Sequence, residues 1–197
     1  MLTLRYRHVV LNIMQEVSSV HSTDRELWGG RKRRLKKPIG KEQIHRQKLN
    51  PHYVGGFIDG EGSFSISIGK HKTTNNGFDV RPEFEIELRA DDQVILERIL
   101  ITIGCGRIYD LSYERYGWYP HAKYKITSNK DLEKYLFPFL DKYPLQAKKA
   151  ESYQYFKTIV LKVLRKEHLT EKGFREIVGL RDRLRKIGKK AKTYENR

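Results

Sequence analysis

The tightest constraint on this chain lies at Tyr53-Val54-Gly55-Gly56-Phe57-Ile58-Asp59-Gly60-Glu61-Gly62-Ser63-Phe64, where a helix pattern gives way at once to a strand pattern. Asn50 can cap a helix whose first residue is Pro51, and the apolar run from Val54 to Ile58 carries that helix to Asp59 or Glu61. Ser63-Phe64-Ser65-Ile66-Ser67-Ile68 then alternates with a period of two. Paired glycines inside a helix cost about 1 kcal/mol each against alanine. They make sense where another backbone must come very close, as when two helices pack with no side chains between them. Asp59 and Glu61 stand at the C-terminal end of this helix, where the dipole disfavours negative charge. A positive partner is called for, and a divalent cation held by carboxylate oxygens is the natural candidate. The plainer reading is a glycine-rich helix end with two solvated acids.

Composition narrows the partners. With 40 Lys and Arg against 24 Asp and Glu among 197 residues, the formal charge is +16. An excess of this size points to a polyanion, above all nucleic acid; the alternative is a basic surface kept for solubility. Cys105 is the single cysteine, so neither an intramolecular disulfide nor a cysteine-rich zinc site can form. Apolar runs such as Thr158-Ile159-Val160-Leu161 are too short to span a bilayer, so no membrane is expected as a partner. The expected setting is intracellular, in an organelle (mitochondrion or plastid) or a prokaryotic cytoplasm. Residues 1–23 carry arginines, serines and one acid, Glu16, a composition shared by transit peptides, solvated helices and translated upstream sequence.

Three regions follow in order. Residues 1–49 read as a basic extension, partly disordered, with the dense run Arg31-Lys32-Arg33-Arg34-Leu35-Lys36-Lys37 as either a phosphate-binding arm or a solvated linker. Residues 50–190 read as a packed domain, and 191–197 as a basic tail. Inside the domain, strands are predicted at 63–70 and 82–89 around a polar loop. Phe64, Ile66 and Ile68 share one face of the first; Phe84, Ile86 and Leu88 share one face of the second, opposite Glu83, Glu85, Glu87 and Arg89. That alternation describes a sheet with helices behind and an open face in front. A helix capped by Asp91 or Asp92 runs to Ile103 and is stopped by Gly104-Cys105-Gly106. Strands at about 107–112 and 119–127 come next, then a helix opened by Ser128 or Asn129. Pro144 is predicted to begin another helix to about Leu164, and a last amphipathic helix covers about 170–187, ending at Gly188. The fold class is α+β, an αββαββα unit with an antiparallel sheet backed by helices.

Val54-Gly55-Gly56-Phe57-Ile58-Asp59-Gly60-Glu61-Gly62, together with Ile103-Gly104-Cys105-Gly106 and Pro144-Leu145-Gln146-Ala147-Lys148-Lys149, resembles the LAGLIDADG homing endonuclease family of the single-motif, homodimeric type. The resemblance covers about residues 50–165. It implies a saddle-shaped sheet seated on double-stranded DNA and a homodimer packed through Val54, Gly55, Gly56, Ile58 and Asp59, because one motif is present and the remaining length holds no second copy. It implies Mg²⁺, or another divalent ion such as Mn²⁺ or Ca²⁺ bound without cleavage. The metal residues would be Glu61, Gly60 and Asp59, with Asp59 also orienting the helix base. The catalytic residues would be Glu61 and a lysine, Lys148 first and Lys149 as its rival. Some members carry a solvent-holding glutamine near the end of the second strand, where this chain has Leu88 or Arg89.

The DNA-reading positions expected on the open face are Ser65, Ser67, Lys70, Lys72, Arg81, Glu83, Glu85, Arg89, Arg107, Tyr109, Lys123 and Lys125. Arg and Lys can pair with guanine edges or phosphates and Glu with cytosine N4. For Glu83, Glu85 and Glu87, cross-strand pairing with Arg or Lys is an equal reading. The function expected is metal-dependent hydrolysis of both strands of a long near-palindromic duplex, making the chain an intron-encoded nuclease. The alternatives on the same scaffold are an intron RNA maturase and a DNA-binding protein that does not cut.

Overall fold

The computed structural model describes residues 47–72, 77–113 and 117–190. The expected extension and its basic arm fall largely on residues 1–46 and the tail on 191–197, outside the described residues. Helix α1, Pro51–Glu61, opens as the sequence predicts: the Asn50 side chain accepts a hydrogen bond from the His52 N–H, and Pro51 takes the first position. Gly62 ends it. The Gly62 N–H donates to the Ile58 carbonyl at 2.9 Å, and a Cβ on Gly62 would lie 2.7 Å from that same oxygen. No larger residue fits there, so the chain passes from helix to strand within a single residue.

Strands β1, Ser63–Lys70, and β2, Phe78–Arg89, pair antiparallel, as do β2 with β4, His121–Ile126, and β4 with β3, Arg107–Leu111. The order across the four-stranded sheet is β1-β2-β4-β3. One face is apolar. Phe64, Ile66, Ile68, Val80, Phe84, Ile86, Ile108, Tyr124 and Ile126 are buried on it. Against it pack α2, Gln93–Ile103, through Leu96, Ile99 and Ile103, and α5, Lys149–Leu164, through Tyr153, Phe156, Ile159 and Val160. Phe64 is the hub, with ring centroids 5.2 Å from Phe84, 5.1 Å from Phe156 and 5.7 Å from Tyr153. Between β4 and α5 the chain runs through α3, Asn129–Asp131, a π-helical turn Leu132–Leu136, and α4, Phe137–Lys142. Helix α6, Glu171–Lys190, lies on α5 and buries Phe174, Ile177 and Leu184.

Four sequence expectations need correction. β2 begins at Phe78 rather than 82, because β4 covers it only from Phe84 onward; residues 78–83 are a half-free edge where Pro82 breaks no ladder on that side. Neither Asp91 nor Asp92 caps α2. A 3₁₀ turn, Ala90–Asp92, leads into it without a side-chain cap, and Asp91 instead pairs with Arg89 at 2.6 Å. α5 starts at Lys149, not Pro144, because the amides of Gln146 and Ala147 are taken by a side chain of α1. α6 continues through Gly188, which has open space around its Cα.

Gly62→Ala is expected to lower stability by about 1–3 kcal/mol, the range for forcing a methyl into a packed site. Gly69→Ala, with nothing within 4 Å of its Cβ, should be near neutral. Urea unfolding midpoints of the two variants check the difference.

Candidate active site and nucleic-acid interface

The C-terminal turn of α1 meets the start of α5. Asp59 Oδ2 accepts hydrogen bonds from the main-chain N–H groups of Gln146 at 2.6 Å and Ala147 at 3.2 Å. Its other oxygen, Oδ1, is buried without a partner among the described residues. Lys149, the first residue of α5, donates from Nζ to the Gly60 carbonyl at 2.9 Å. Burial pulls the Lys149 ammonium below its ordinary pKa, while the carboxylates of Asp59 and Glu61 act against that pull. Glu61 itself is exposed at the helix end.

These contacts sort the expected site residues. Of the two lysines, Lys149 reaches the helix end, and Lys148 stands exposed just before α5. The structure thus brings Lys149, rather than Lys148, to the end of α1. Asp59 holds the 144–147 segment through one oxygen and leaves the other buried without a partner among the described residues. That leaves Glu61 and the carbonyl of Gly60 as the hard oxygen donors facing outward. No cluster of three or more His, Cys, Asp or Glu converges among the described residues. Among the described residues, one carboxylate and a carbonyl fit a hard divalent cation in kind but fall short of its six or more ligands. Cys105 offers no nucleophile: burial first, then Asp131, push its thiol up to about 12.

The expected dimer residues divide as well. Val54 and Ile58 are 0% exposed within this chain's own core, and the Cβ position of Gly55 lies 3.3 Å from the Tyr143 carbonyl. These three cannot also face a partner, and Asp59 is turned to the 144–147 loop. Gly56 is exposed with nothing within 4 Å, and so is Gly60. With Tyr53, they make the outward stripe of α1 at helical spacing. Tyr53 was legible only through the helical phase that the buried Val54 and Ile58 define.

The open face of the sheet carries Ser63, Ser65 and Ser67 from β1, the glutamates of β2, Lys123 and Lys125 from β4, and Arg107 and Tyr109 from β3. Of the two readings of the glutamates, cross-strand pairing is the one formed. Lys125 Nζ lies 2.6 Å from Glu83, and Lys123 Nζ lies 3.0 Å from Glu85 and 2.9 Å from Glu87. Arg81 pairs with Asp79 at 2.6 Å. Ser65 and Ser67 make long hydroxyl contacts, 3.4 Å, to the carbonyls of Glu83 and Arg81. Lys70, Lys72 and Arg107 are exposed, and among the described residues the ion pairs of this face leave Arg107 out. Arg89 holds Asp91 and lies under the ring of Tyr119 at 4.4 Å. Sequence reasoning missed a second network: the Tyr113 hydroxyl donates to Glu87 at 2.6 Å, and His121 Nδ1 lies 3.2 Å from the same oxygen.

The sequence profile described as LAGLIDADG endonuclease matches residues 54–160. The chain belongs to that family. It is 33% identical over 134 residues to "Probable intron-encoded endonuclease 3" of Neurospora crassa, covering 68% of this chain and 24% of that protein. It is 30% identical over 122 residues to "Homing endonuclease I-ApeII" of Aeropyrum pernix, covering 62% of this chain and 69% of that protein. Among solved structures, I-SmaMI bound to uncleaved DNA target in the presence of calcium ions superposes with a TM-score of 0.63 at 35% identity, over 68% of this chain and 44% of that one. The homing endonuclease I-TnaI gives 0.62 at 28% identity, over 73% and 99%. The chain spans about a quarter of the length of the first curated relatives it matches, 24% and 27%. No helix of the described residues is long and apolar enough to cross a membrane.

The buried ladder gives a pH dependence. Burial pulls the Lys123 ammonium down, but Glu87 and Glu85 outweigh it and hold the pKa above the ordinary 10.5. The stability from this pairing is therefore complete below that value and lost as pH rises through the higher folded pKa. The stability difference between wild type and Lys123→Met, from urea titrations, should be constant to about pH 10 and shrink at higher pH.

Proposed function

We propose that this chain is a site-specific DNA endonuclease of the homing type, hydrolysing both strands of a long near-palindromic duplex as a homodimer. One observation carries the reading: Glu61 stands exposed at the end of a glycine-faced helix, beside the Lys149 ammonium, at the margin of an open polar sheet face. Glu61 and the Gly60 carbonyl would hold a divalent cation, Mg²⁺ in the working enzyme, with phosphate oxygens completing its shell. When bound, such an ion supplies Lewis acidity at the phosphodiester and acidifies water.

The protein's own groups do the rest. Asp59 fixes the loop that delivers Lys149, and Lys149 sets a cation beside the phosphate, where charge builds as the 3′ oxygen departs. The outward stripe of Tyr53, Gly56 and Gly60 would pack against its copy, which brings two Glu61 side chains to neighbouring phosphates on opposite strands. The near-total coverage of I-TnaI, against less than half of I-SmaMI, supports one unit per chain and two per working site. The relatives' intron-encoded names support the same origin here.

The deciding experiment offers a duplex library with a randomised window to the purified protein in Mg²⁺. Wild type is expected to select and cut a long near-palindrome. Glu61→Gln should bind the same duplex with cleavage lowered at least about a thousandfold, the scale of losing a group that stabilises transition-state charge. Lys149→Met should cut more slowly than Lys148→Met. Light scattering should give a dimer. Tight binding without any cut by wild type, displaced by intron RNA, would instead establish the maturase.

A further inference from the structure

The two hairpins of the sheet turn at opposite ends. β1 starts two residues after Glu61 and runs its eight residues away, about 26 Å at the strand rise, to Lys70. β2 returns, meets the start of β1 at the Ser63–Glu85 pair, and continues four residues past it to Arg89, opposite His121 at the head of β4. The head of β4, with Trp118, Tyr119 and Pro120 just before it, therefore lies at the end of the sheet nearer Glu61.

Two aromatic side chains are exposed there. Trp118 and Tyr119 are 62% and 69% exposed, the highest values among the large apolar side chains described. Their positions are built, not slack. Tyr113, buried, bonds Glu87 through its hydroxyl, stacks edge-on with His121 at 4.8 Å, and lies 6.1 Å from the Trp118 ring. The Trp118 N–H donates to the Tyr113 carbonyl at 3.4 Å, and the Ala90 N–H to the Pro120 carbonyl at 2.9 Å. Arg89 lies against the Tyr119 ring while holding Asp91. Arg89, Glu87 and His121 share the outward phase of Glu85 and Lys125, which puts this cluster on the open face.

We propose that Trp118, Tyr119 and the Arg89 guanidinium beneath it form a stacking platform for the target duplex at the base steps nearest the cleaved bonds. The proposal rests on the endonuclease reading above. A ring face accepts any base, so the platform selects by how easily a step unstacks rather than by base-edge hydrogen bonds. Pyrimidine–purine steps unstack most readily, and these are the steps it favours. The cation adds attraction to the neighbouring phosphate. The ion-paired ladder and Arg107, farther from this end, are left to read the flanking positions.

The test compares duplexes selected from the randomised library by wild type, by Trp118→Ala/Tyr119→Ala and by Trp118→Phe/Tyr119→Phe. The alanine pair should lose preference at the steps beside the cut by about tenfold, within the range of removing one stacked base, with outer positions unchanged. The phenylalanine pair should keep it. In a Glu61→Gln background, 2-aminopurine placed at the near-cut step of the selected duplex should brighten on binding, and the alanine pair should abolish that rise. An alanine pair with the same near-cut preference and the same fluorescence overturns the platform while leaving the endonuclease intact. If wild type selects no duplex at all, both readings fall together, and that outcome cannot be confused with the first.

Discussion

Asp59 bonded to the amides of Gln146 and Ala147 is the contact on which the rest of the site depends. Hydrogen bonds to a charged acceptor contribute roughly 1.5–3 kcal/mol, more than neutral ones. By taking those two N–H groups, the carboxylate keeps the 144–148 segment out of helix and makes Lys149 the residue that opens α5. The ammonium then falls on the Gly60 carbonyl, where the last turn of α1 presents unpaired carbonyls and the negative end of its dipole. One acid thus delivers the cation that the helix end requires. The second acid, Glu61, is left with its carboxylate in solvent. Two carboxylates two residues apart do opposite work because one faces the chain's own loop and the other does not.

The formal +16 and the local electrostatics of the sheet describe different things. On the open face the lysines of β4 are bound to glutamates of β2, and Lys123 is only 8% exposed. Paired groups of this kind hold each other's rotamers and contribute about 0.2–1 kcal/mol per cross-strand pair. They add little net positive potential at the face. Long-range attraction to a polyanion must come from the exposed cations elsewhere, including Lys70, Lys72 and Arg107 at the margins. A face that is locally neutral and rigid is suited to discrimination, since each Glu or Lys that turns to a base must first leave a partner. Affinity and selectivity are thereby carried by separate sets of residues.

The elements were legible because their signals are local. Alternation in β1, the apolar spacing in α2, and Asn50-Pro51 all depend on neighbours within a few residues, and each element formed where those signals lie. The errors share a cause: a distant group competed with the local one. Pro144 looks like a helix start until Asp59, 85 residues earlier, claims the amides that follow it. Asp91 looks like a cap until Arg89 takes it. As a string, the motif groups Val54, Gly55 and Ile58 with Gly56. A helix divides such a string into faces, and only the tertiary core decides which face is inside. The Glu87 network with Tyr113 and His121 had no local signal, since it joins residues 26 and 34 apart.

Under the proposed homodimer, the same electrostatics would tie metal binding to assembly. In one chain, a single cation, Lys149, already drawn down by burial, sits against the two acids of the α1 terminus. Packing the outward stripes of two such helices would bring the second pair of acids, and the second negative helix end, toward the first. A DNA phosphate between them adds further negative charge. One ammonium per copy would be outnumbered there by two carboxylates, a helix end and the phosphate. Such a site would draw in a divalent cation with hard-oxygen preference, and Glu61 is the side chain exposed to receive it. In the proposed assembly the ligand set would be divided between two copies and the substrate, with Glu61 of each copy as the side chain free to join it.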